Sequence, residues 1–479
     1  MAEPTAAGKG WSSTAPPGEF KSFVAPEQSL PEFTIKAVLF GALFGIFFGA
    51  VTVYLGLRAG LTVSASIPIA VLSISLLRLF GRATILENNI VQTTGSAGES
   101  VAAGVIFTLP ALIFLGFQLE YTRIFLLALI GGWIGVLFMI PLRRYLIVKE
   151  HGTLTFPEGT ACGDVLVAGE RGGSFAGRVF WGLSVGGAYA FLMHAMGFWK
   201  SVPDYRPAWY PGATVKAEVT PEYLGVGYII GPKVAGTIFA GGVFSWLLMM
   251  PAIKFFGSGL AEPLYPSTIP IADMTSEQLW ASYIRPMGAG AVAAAGLITL
   301  LKTVPTIIES FRAGLKDLAA SSQAAAAARS RTEDDLSMKI VLFGSAALVV
   351  VIIALLTFYP VPGADTTFGA NIFAGILVVV FGFLFVTVSS RIVGLIGSSA
   401  NPISGMTIAT LMATCAIFLL AGWRGGAYAA LALSIGGLVC IASANAGATS
   451  QDLKTGYLVG ATPLKQQVAL IIGVMASVF

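Results

Sequence analysis

Residues 87–116 read "ENNIVQTTGSAGESVAAGVIFTLPALIFLG". The first fourteen hold two carboxylates, three amides and four hydroxyls, whereas the last sixteen carry no charge. The apolar part decides the fold class, and the polar part poses the functional question. Uncharged runs recur along the chain: residues 37–57, 59–77, 100–119, 124–142, 179–199, 234–253, 286–301, 340–364, 366–390, 392–423 and 425–451 lack Asp, Glu, Lys and Arg. Most approach the roughly 20 residues that a helix needs to cross about 30 Å of hydrocarbon. Only helices and closed barrels satisfy their backbone groups in lipid, and these runs are too long and continuous for barrel strands. Composition agrees, with 56% hydrophobic residues, 11% charged residues and a mean hydropathy of +0.82. A soluble core is excluded, because a globule of 479 residues would still need a charged surface. The chain reads as an all-α polytopic membrane protein whose first partner is the lipid bilayer. Its 57 glycines suit close helix approach in that setting.

Other properties mainly exclude. Residues 1–34 are polar and rich in Pro and Gly, without the apolar stretch of a secretory signal. The net charge of +4 reflects basic loops and gives no reason to expect a nucleic-acid partner. Cys162, Cys415 and Cys440 lie in or beside apolar segments, as packing residues do. Two histidines, His151 and His194, are too few for a His-built metal cage, so no metal site is expected. There is no HExxH and no phosphate-binding GxxxxGK[ST], which argues against an intramembrane enzyme and against built-in ATP-driven transport.

Basic residues set the orientation. Arg78 with Arg82, then Arg143, Arg144 and Lys149, then Arg312, Lys316, Arg329, Arg331 and Lys339 cluster between apolar runs. The positive-inside tendency puts these loops, and the tail carrying Lys9, Lys21 and Lys36, on the cytoplasmic side. Helices at 35–57, 59–80, about 90–117 and 123–142 then alternate in direction. Keeping the 309–339 loop inside requires an even number of crossings after residue 143. Three helices are evident there (about 176–199, 226–255 and 284–308), so "TFPEGTACGDVLVAG" is expected to supply a fourth, short or broken, segment. The aromatic, Pro-rich loop 199–222 belongs outside, near the interface. The expected organisation is a cytosolic tail at 1–34, a first transmembrane repeat at 35–308, a cytosolic linker at 309–338 and a second, partial repeat at 339–479.

The repeat rests on short matches. Ile90-Val91 with Gly95-Ser96 corresponds to Ile392-Val393 with Gly397-Ser398 at an offset of 302, which sets Glu99 on Asn401. "GTACGD" (159–164) likewise resembles "GATSQD" (447–452). Eight elements would separate equivalents, giving two parallel repeats of about eight membrane elements, the second incomplete. Transporters commonly carry substrate at such repeat interfaces, on interrupted helices.

Helical spacing puts Asn88, Gln92, Ser96 and Glu99 on one face, with Asn89, Thr93 and Ser100 on the adjacent stripe. Against lipid that face would be very costly, so it is expected to meet protein, water or a solute. Gly95 and Gly98 permit either a helix break or close backbone approach. In "SSRIVGLIGSSANPISGMT", Ser398, Ser399, Asn401 and Ser404 surround Pro402, which should break the helix. "FPEGTACGDVLVAGE" carries Glu158, Asp164 and Glu170, and "SANAGATSQDLKTGYLVGATPLKQQ" sets Asn445, Gln451, Asp452 and Lys454 between apolar runs. Each group also has a plainer reading: interfacial caps for Asn88 and Asn89, a solvated loop carboxylate for Asp164, a satisfied proline kink for the serines.

Four stretches carry a resemblance: "YLGLRAGLTVSASIPIAV" (54–71), "NNIVQTTGSAGESVAAGVIFTLPAL" (88–112), "FPEGTACGDVLVAG" (156–169) and "SANAGATSQDLKTGYLVGATPLKQQ" (443–467). They look like signature segments of the oligopeptide transporter (OPT) family, on its prokaryotic and yellow-stripe-like side. The resemblance spans essentially 35–479. It implies secondary active uptake, proton-coupled, of small peptides or metal chelates, with the proton gradient as energy source and no bound cofactor. It also implies a bacterial inner-membrane location and about sixteen transmembrane elements. The chain stops at "IIGVMASVF" inside an apolar run, so the expectation is either a truncated chain or the absence of the family's last few helices.

The expected substrate site therefore comprises Asn88, Asn89, Gln92, Thr93, Ser96, Ser398, Ser399, Asn401, Asn445 and Gln451. A carboxylate in a low-dielectric cavity is the natural carrier of a coupling proton. Glu99 is the first candidate, then Asp164, with Asp452 beside them. A passive channel for small polar solutes is the competing function, and self-association into a homo-oligomer is left open.

Overall fold

In the computed structural model the described residues are 12–14, 20–59, 64–81, 83–291, 294, 295, 298, 305, 330–363 and 365–479. Most of the expected 309–338 linker, much of the 284–308 helix and the basic residues Lys9, Arg82, Arg312, Lys316 and Arg329 lie outside them. The chain divides into two compact units, Met1–Val179 with Gly296–Phe479, and Phe180–Ala295.

The larger unit opens with α1 (Ile35–Ala59), α2 (Ser66–Leu79) and α3 (Ile85–Ile106). The short helix α4 (Ala111–Phe114), α5 (Tyr121–Met139) and α6 (Pro157–Arg171) come next. α7 (Gly173–His194) leads into the smaller unit, where α8 (Pro221–Val243), α9 (Met250–Gly257) and α10 (Ser276–Leu279) follow. The larger unit resumes with α11 (Met338–Phe358), α12 (Phe368–Ile396), α13 (Ile403–Leu420), α14 (Gly426–Val459) and α15 (Pro463–Ser477). Eight helices among the described residues are long and apolar enough to cross a membrane. The protein is an all-α polytopic membrane protein, and its outer faces carry the side chains lipid requires, such as exposed Leu39, Leu43 and Phe47 on α1. In the smaller unit the 199–222 loop folds into a two-residue antiparallel ladder, with Asp204 opposite Lys216 and Tyr205 opposite Val215.

Local chemistry fixes the ends that matter. α3 starts at Ile85, earlier than expected, because Thr84 and Glu87 form a capping box: Glu87 N–H donates to Thr84 Oγ1 (3.1 Å) and Thr84 N–H to Glu87 Oε2 (3.0 Å). It ends before Pro110, which cannot supply the next backbone donor, so the helix expected to run to 117 is cut short. α14 ends on Gly460, left-handed at φ 81°, whose N–H and that of Ala461 both donate to the Gly456 carbonyl at 2.8 Å.

Of the two roles open to Gly95 and Gly98, the structure takes the close approach. Gly95 and Gly98 do not break α3, which is continuous from Ile85 to Ile106. They serve instead as the crossing point with α1: a Cβ on Gly98 would run into the Gly45 carbonyl. With no side chains between them the two backbones touch, and the helical hydrogen-bond ladder survives. The two segments matched at the 302-residue offset differ locally, since 90–100 lies inside a helix while 397–401 lies between helices.

α14 is the central helix. In its most apolar window 78% of residues are buried, against 28% for the span ending at Phe358. It packs on α3, α5, α6, α12 and α13. Because α1 and α3 meet backbone to backbone, Gly98→Val should cost about 1–3 kcal/mol through overpacking. Thermal unfolding in detergent micelles should show a clearly lowered midpoint, and an unchanged midpoint would contradict this crossing.

Candidate functional site

Two places where one helix gives way to the next meet in the larger unit. The chain leaves α1 at Ala59 and enters α2 at Ser66; it leaves α12 at Ile396 and enters α13 at Ile403. At the second interruption Gly397 takes φ 87° and Pro402 precedes the new helix. Ser64 N–H donates to Ser399 Oγ at 3.2 Å, so the two interruptions touch.

Such interruptions free backbone donors that the membrane interior cannot hydrate. Here carboxylates take them. Glu99 Oε2, from α3, accepts the Ala65 N–H at 2.5 Å. Glu158, on the first turn of α6, accepts Ser398 N–H at Oε2 (2.9 Å), Ser399 N–H at Oε1 (3.0 Å), and the Ser398 hydroxyl. Gly397 is needed at this spot for two reasons: its positive φ, and a Cβ that would fall 2.9 Å from Glu158 Oε1.

A third carboxylate, Asp452 of α14, lies fully buried. It accepts from Ser96 Oγ (2.5 Å), Gln92 Nε2 and, at 3.5 Å, Ser66 Oγ. The polar face read from the sequence is thus real, and its Gln92 and Ser96 turn to α14. Glu158 and Asp452 both lie within electrostatic reach of Glu99. Among the described residues, none of the three makes an ion pair with a lysine or arginine. Three buried acids held by neutral donors are a site of negative potential, suited to a proton or a cationic group.

The other expected residues fall into place around this group. Thr93 Oγ1 accepts Gln466 Nε2 (3.2 Å), which also donates to the Asp452 carbonyl (2.9 Å). Asn89 Nδ2 donates to Gln92 Oε1 at 3.3 Å. Asn445 joins three helices, accepting from Ser100 Oγ (2.6 Å) and donating to the Gly132 carbonyl (2.7 Å). Gln451 accepts Gly159 N–H (2.5 Å) and donates to the Val393 carbonyl (3.1 Å), tying α14 to α6 and α12. Asn401 donates to Ser389 Oγ at 2.8 Å. The amide oxygens of Asn88, Asn89 and Asn401 are buried without a hydrogen-bond partner. Ser398, Ser399 and Asn401 are only half-buried, whereas Gln92, Ser96, Asn445 and Gln451 spend their polar groups on protein.

Asp164 is not brought to this group. It sits on the exposed side of α6 and bonds to Ser13, because six residues of helix turn it away from Glu158. The segment forms the 15-residue helix Pro157–Arg171, but its inward carboxylate is Glu158. Sequence reasoning passed over that residue, although a Glu just after Phe-Pro at a helix start was the available signal. Also missed was the contact of Lys454 with His151, 303 residues apart in sequence.

Residues 32–479 match the family described as OPT oligopeptide transporter protein. The chain is 31% identical over 444 residues to a Haemophilus influenzae protein named for oligopeptide transport, covering 88% of this chain and 67% of that one. It is 25% identical over 494 residues to the iron-phytosiderophore transporter YSL15 of Oryza sativa subsp. japonica, covering 92% and 70%. The metal-nicotianamine transporter YSL3 of Arabidopsis thaliana matches at 25% over 302 residues, covering 54% and 43%.

Removing the Glu158 carboxylate leaves two backbone donors and a hydroxyl without their acceptor. Glu158→Ala should therefore lose about 1–3 kcal/mol of stability, and Glu158→Gln, which keeps one acceptor, less. Denaturant unfolding in micelles checks the order: wild type, then Gln, then Ala. Equal stability of all three would contradict the capping role.

Proposed function

Since this chain belongs to the OPT oligopeptide transporter family, we propose that it is a secondary active importer of small oligopeptides or metal chelates, driven by the proton gradient. The observation that carries this reading is the contact between the two interrupted helices, Ser64 N–H to Ser399 Oγ, beside Glu99 and Glu158. Helix ends that meet inside a bundle can present backbone donors to a solute and let the surrounding helices rearrange around it.

The substrate site in this reading lies at Ser398, Ser399 and Asn401, the half-buried part of the group. Their N–H, hydroxyl and amide groups suit peptide or chelator carboxylates. The negative potential of Glu99, Glu158 and Asp452 suits a peptide α-amine or a chelated metal ion. Asn88, Asn89, Gln92, Thr93, Ser96, Asn445 and Gln451 act behind this surface, holding α3, α14 and their neighbours in register.

Glu99 is the proton-coupling residue in this proposal. One of its oxygens caps Ala65, so a change in its proton count alters a backbone contact at the first interruption. Like charges from Glu158 and Asp452 make a proton on Glu99 and a cationic substrate alternative ways to relieve the same repulsion. Asp452 is the second candidate, because its bonds to Gln92 and Ser96 join α3 to α14.

The proposed location is the cell membrane with a cytoplasmic N-terminus. Phe23 and Val24 N–H donate to the Leu458 and Val459 carbonyls at 3.0 Å, and Glu32 pairs with Arg331 at 2.6 Å. Arg143 pairs with Asp335 at 2.6 Å. The N-terminal segment, the residues after the linker and Arg143 therefore share contacts with one end of the bundle, the basic one.

Purified protein in liposomes tests the function with two probes, radiolabelled trialanine and nickel–nicotianamine. With an inward proton gradient, one of them should accumulate above equilibrium, and a protonophore should abolish the accumulation. Glu99→Gln should keep exchange of internal for external solute but lose gradient-driven accumulation. Uptake of both probes that only equilibrates would establish a passive pore instead. Proton-driven accumulation by Glu99→Gln would remove Glu99 from the coupling role.

A further inference from the structure

A buried amine and imidazole lie just beyond the carboxylate group. Lys454 of α14 is 1% exposed, and its Nζ sits 2.6 Å from His151 Nδ1. It also donates to the Leu154 carbonyl at 3.4 Å. The Phe156 and Tyr457 rings lie 5.5 and 5.7 Å from the ammonium position, and Phe20 closes over His151 with ring centroids 4.6 Å apart. Among the described residues Lys454 makes no ion pair.

Several charged groups of the neighbouring helices have contacts of their own. Glu158 of α6 holds Ser398 and Ser399, Glu99 of α3 holds Ala65, and Asp452 of α14 itself holds Gln92 and Ser96. Arg143, which acts on Tyr457 through its charge, is bidentate to Asp335 at 2.6 and 2.8 Å. Arg391 of α12 and the buried Cys162 of α6 make no bond to Lys454.

A nitrogen–nitrogen contact this short holds one hydrogen between a donor and an acceptor. Ammonium with neutral imidazole satisfies it, and so does amine with imidazolium. Two protonated partners would face donor to donor as like charges in a buried place, and the contact would break. The pair therefore keeps its geometry only while it carries a single charge.

That geometry bears on the interruption at Gly397. Lys454 grips the segment 151–156 through His151, Leu154 and the Phe156 ring. Phe156 is the single non-glycine residue with positive φ among the described residues, at 49°, a conformation that a bulky side chain adopts only when its surroundings hold it. Its N–H donates to the Gly394 carbonyl at 2.8 Å. Two residues on, Glu158 reaches Ser398 and Ser399. A continuous set of contacts thus leads from the Lys454–His151 pair to the second interrupted helix.

We propose that Lys454 and His151 are positioning residues that hold Glu158 against Ser398 and Ser399 while they share one charge, and release it when a second proton arrives. The proposal rests on the transporter reading for its purpose, since the interruption it controls is the substrate site proposed above. The pair then adds a second proton-sensing point to Glu99, on the side of the bundle that carries the N-terminal segment.

Hydrogen exchange read by mass spectrometry tests this without any transport assay. The amides of Ser398 and Ser399 are the ones that Glu158 protects. Their exchange in nanodiscs is measured between about pH 8 and 5.5, above the ordinary carboxylate range, each rate divided by its intrinsic value. Wild-type protection should fall by about tenfold or more toward acid. His151→Asn, whose Oδ1 can accept the Lys454 N–H but takes no proton, should stay protected across the range. Lys454→Met should be poorly protected throughout; if it does not fold, the His151→Asn profile decides alone. An identical acid-dependent loss in His151→Asn would assign the effect to Glu158 itself and overturn the proposal. So would a flat wild-type profile. Failure to accumulate peptide or chelate in liposomes would overturn the transport reading and leave these exchange profiles unchanged.

Discussion

The structure depends on a buried carboxylate that meets hydrogen-bond donors in place of a cation. Asp452 has no exposure, yet it is held by Ser96 and Gln92 of α3 and by Ser66 of α2. A charge-bearing group in hydrocarbon is tolerated only when its lone pairs are met, so these helices are pinned in register by one side chain. The same solution recurs with Glu99 at Ala65 and Glu158 at Ser398 and Ser399. In these last two cases an acid from a neighbouring helix accepts backbone N–H groups beside a helix end, whereas Asp452 accepts side-chain donors. The broken helices and the acid cluster are therefore one device: the breaks create donors, and the acids take them.

That device has a consequence for motion. A soluble protein could hydrate an interrupted helix, but here each carboxylate is the local substitute for water. Moving a carboxylate away must be matched by another acceptor arriving, and a substrate carboxylate is one such group. A proton arriving on a carboxylate likewise weakens its hold on the backbone. In the transport reading proposed above, substrate, proton and helix geometry would be linked through the same few oxygens, which is the requirement for coupled transport.

Much of this was legible in the sequence. Uncharged runs near twenty residues gave the fold class, because lipid imposes length and composition so strictly. The face of Asn88, Gln92, Ser96 and Glu99 was legible from helical spacing alone, as was the break around Gly397 and Pro402. What the face meets was not: Gln92 and Asp452 are 360 residues apart, and helical periodicity says nothing about a partner at that distance. Gly95 and Gly98 were ambiguous, since a missing side chain permits both a break and a close crossing, and only α1 with Gly45 opposite settles it. Asp164 looked as plausible as Glu158 because the phase of a short helix is unknown until its neighbours are known. Lys454 and His151 were each visible, but nothing in their local sequence joined them.

The central claim is that the two interruptions meet at the place where a solute binds. Paired substitution Ser64→Cys and Ser399→Cys, in a background with Cys415→Ser, tests it by mild oxidation in liposomes. The account predicts rapid disulfide formation in the absence of solute, and suppression of it by a saturating peptide or chelate that the protein accumulates. No disulfide under any condition, or a rate indifferent to an accumulated solute, would contradict it.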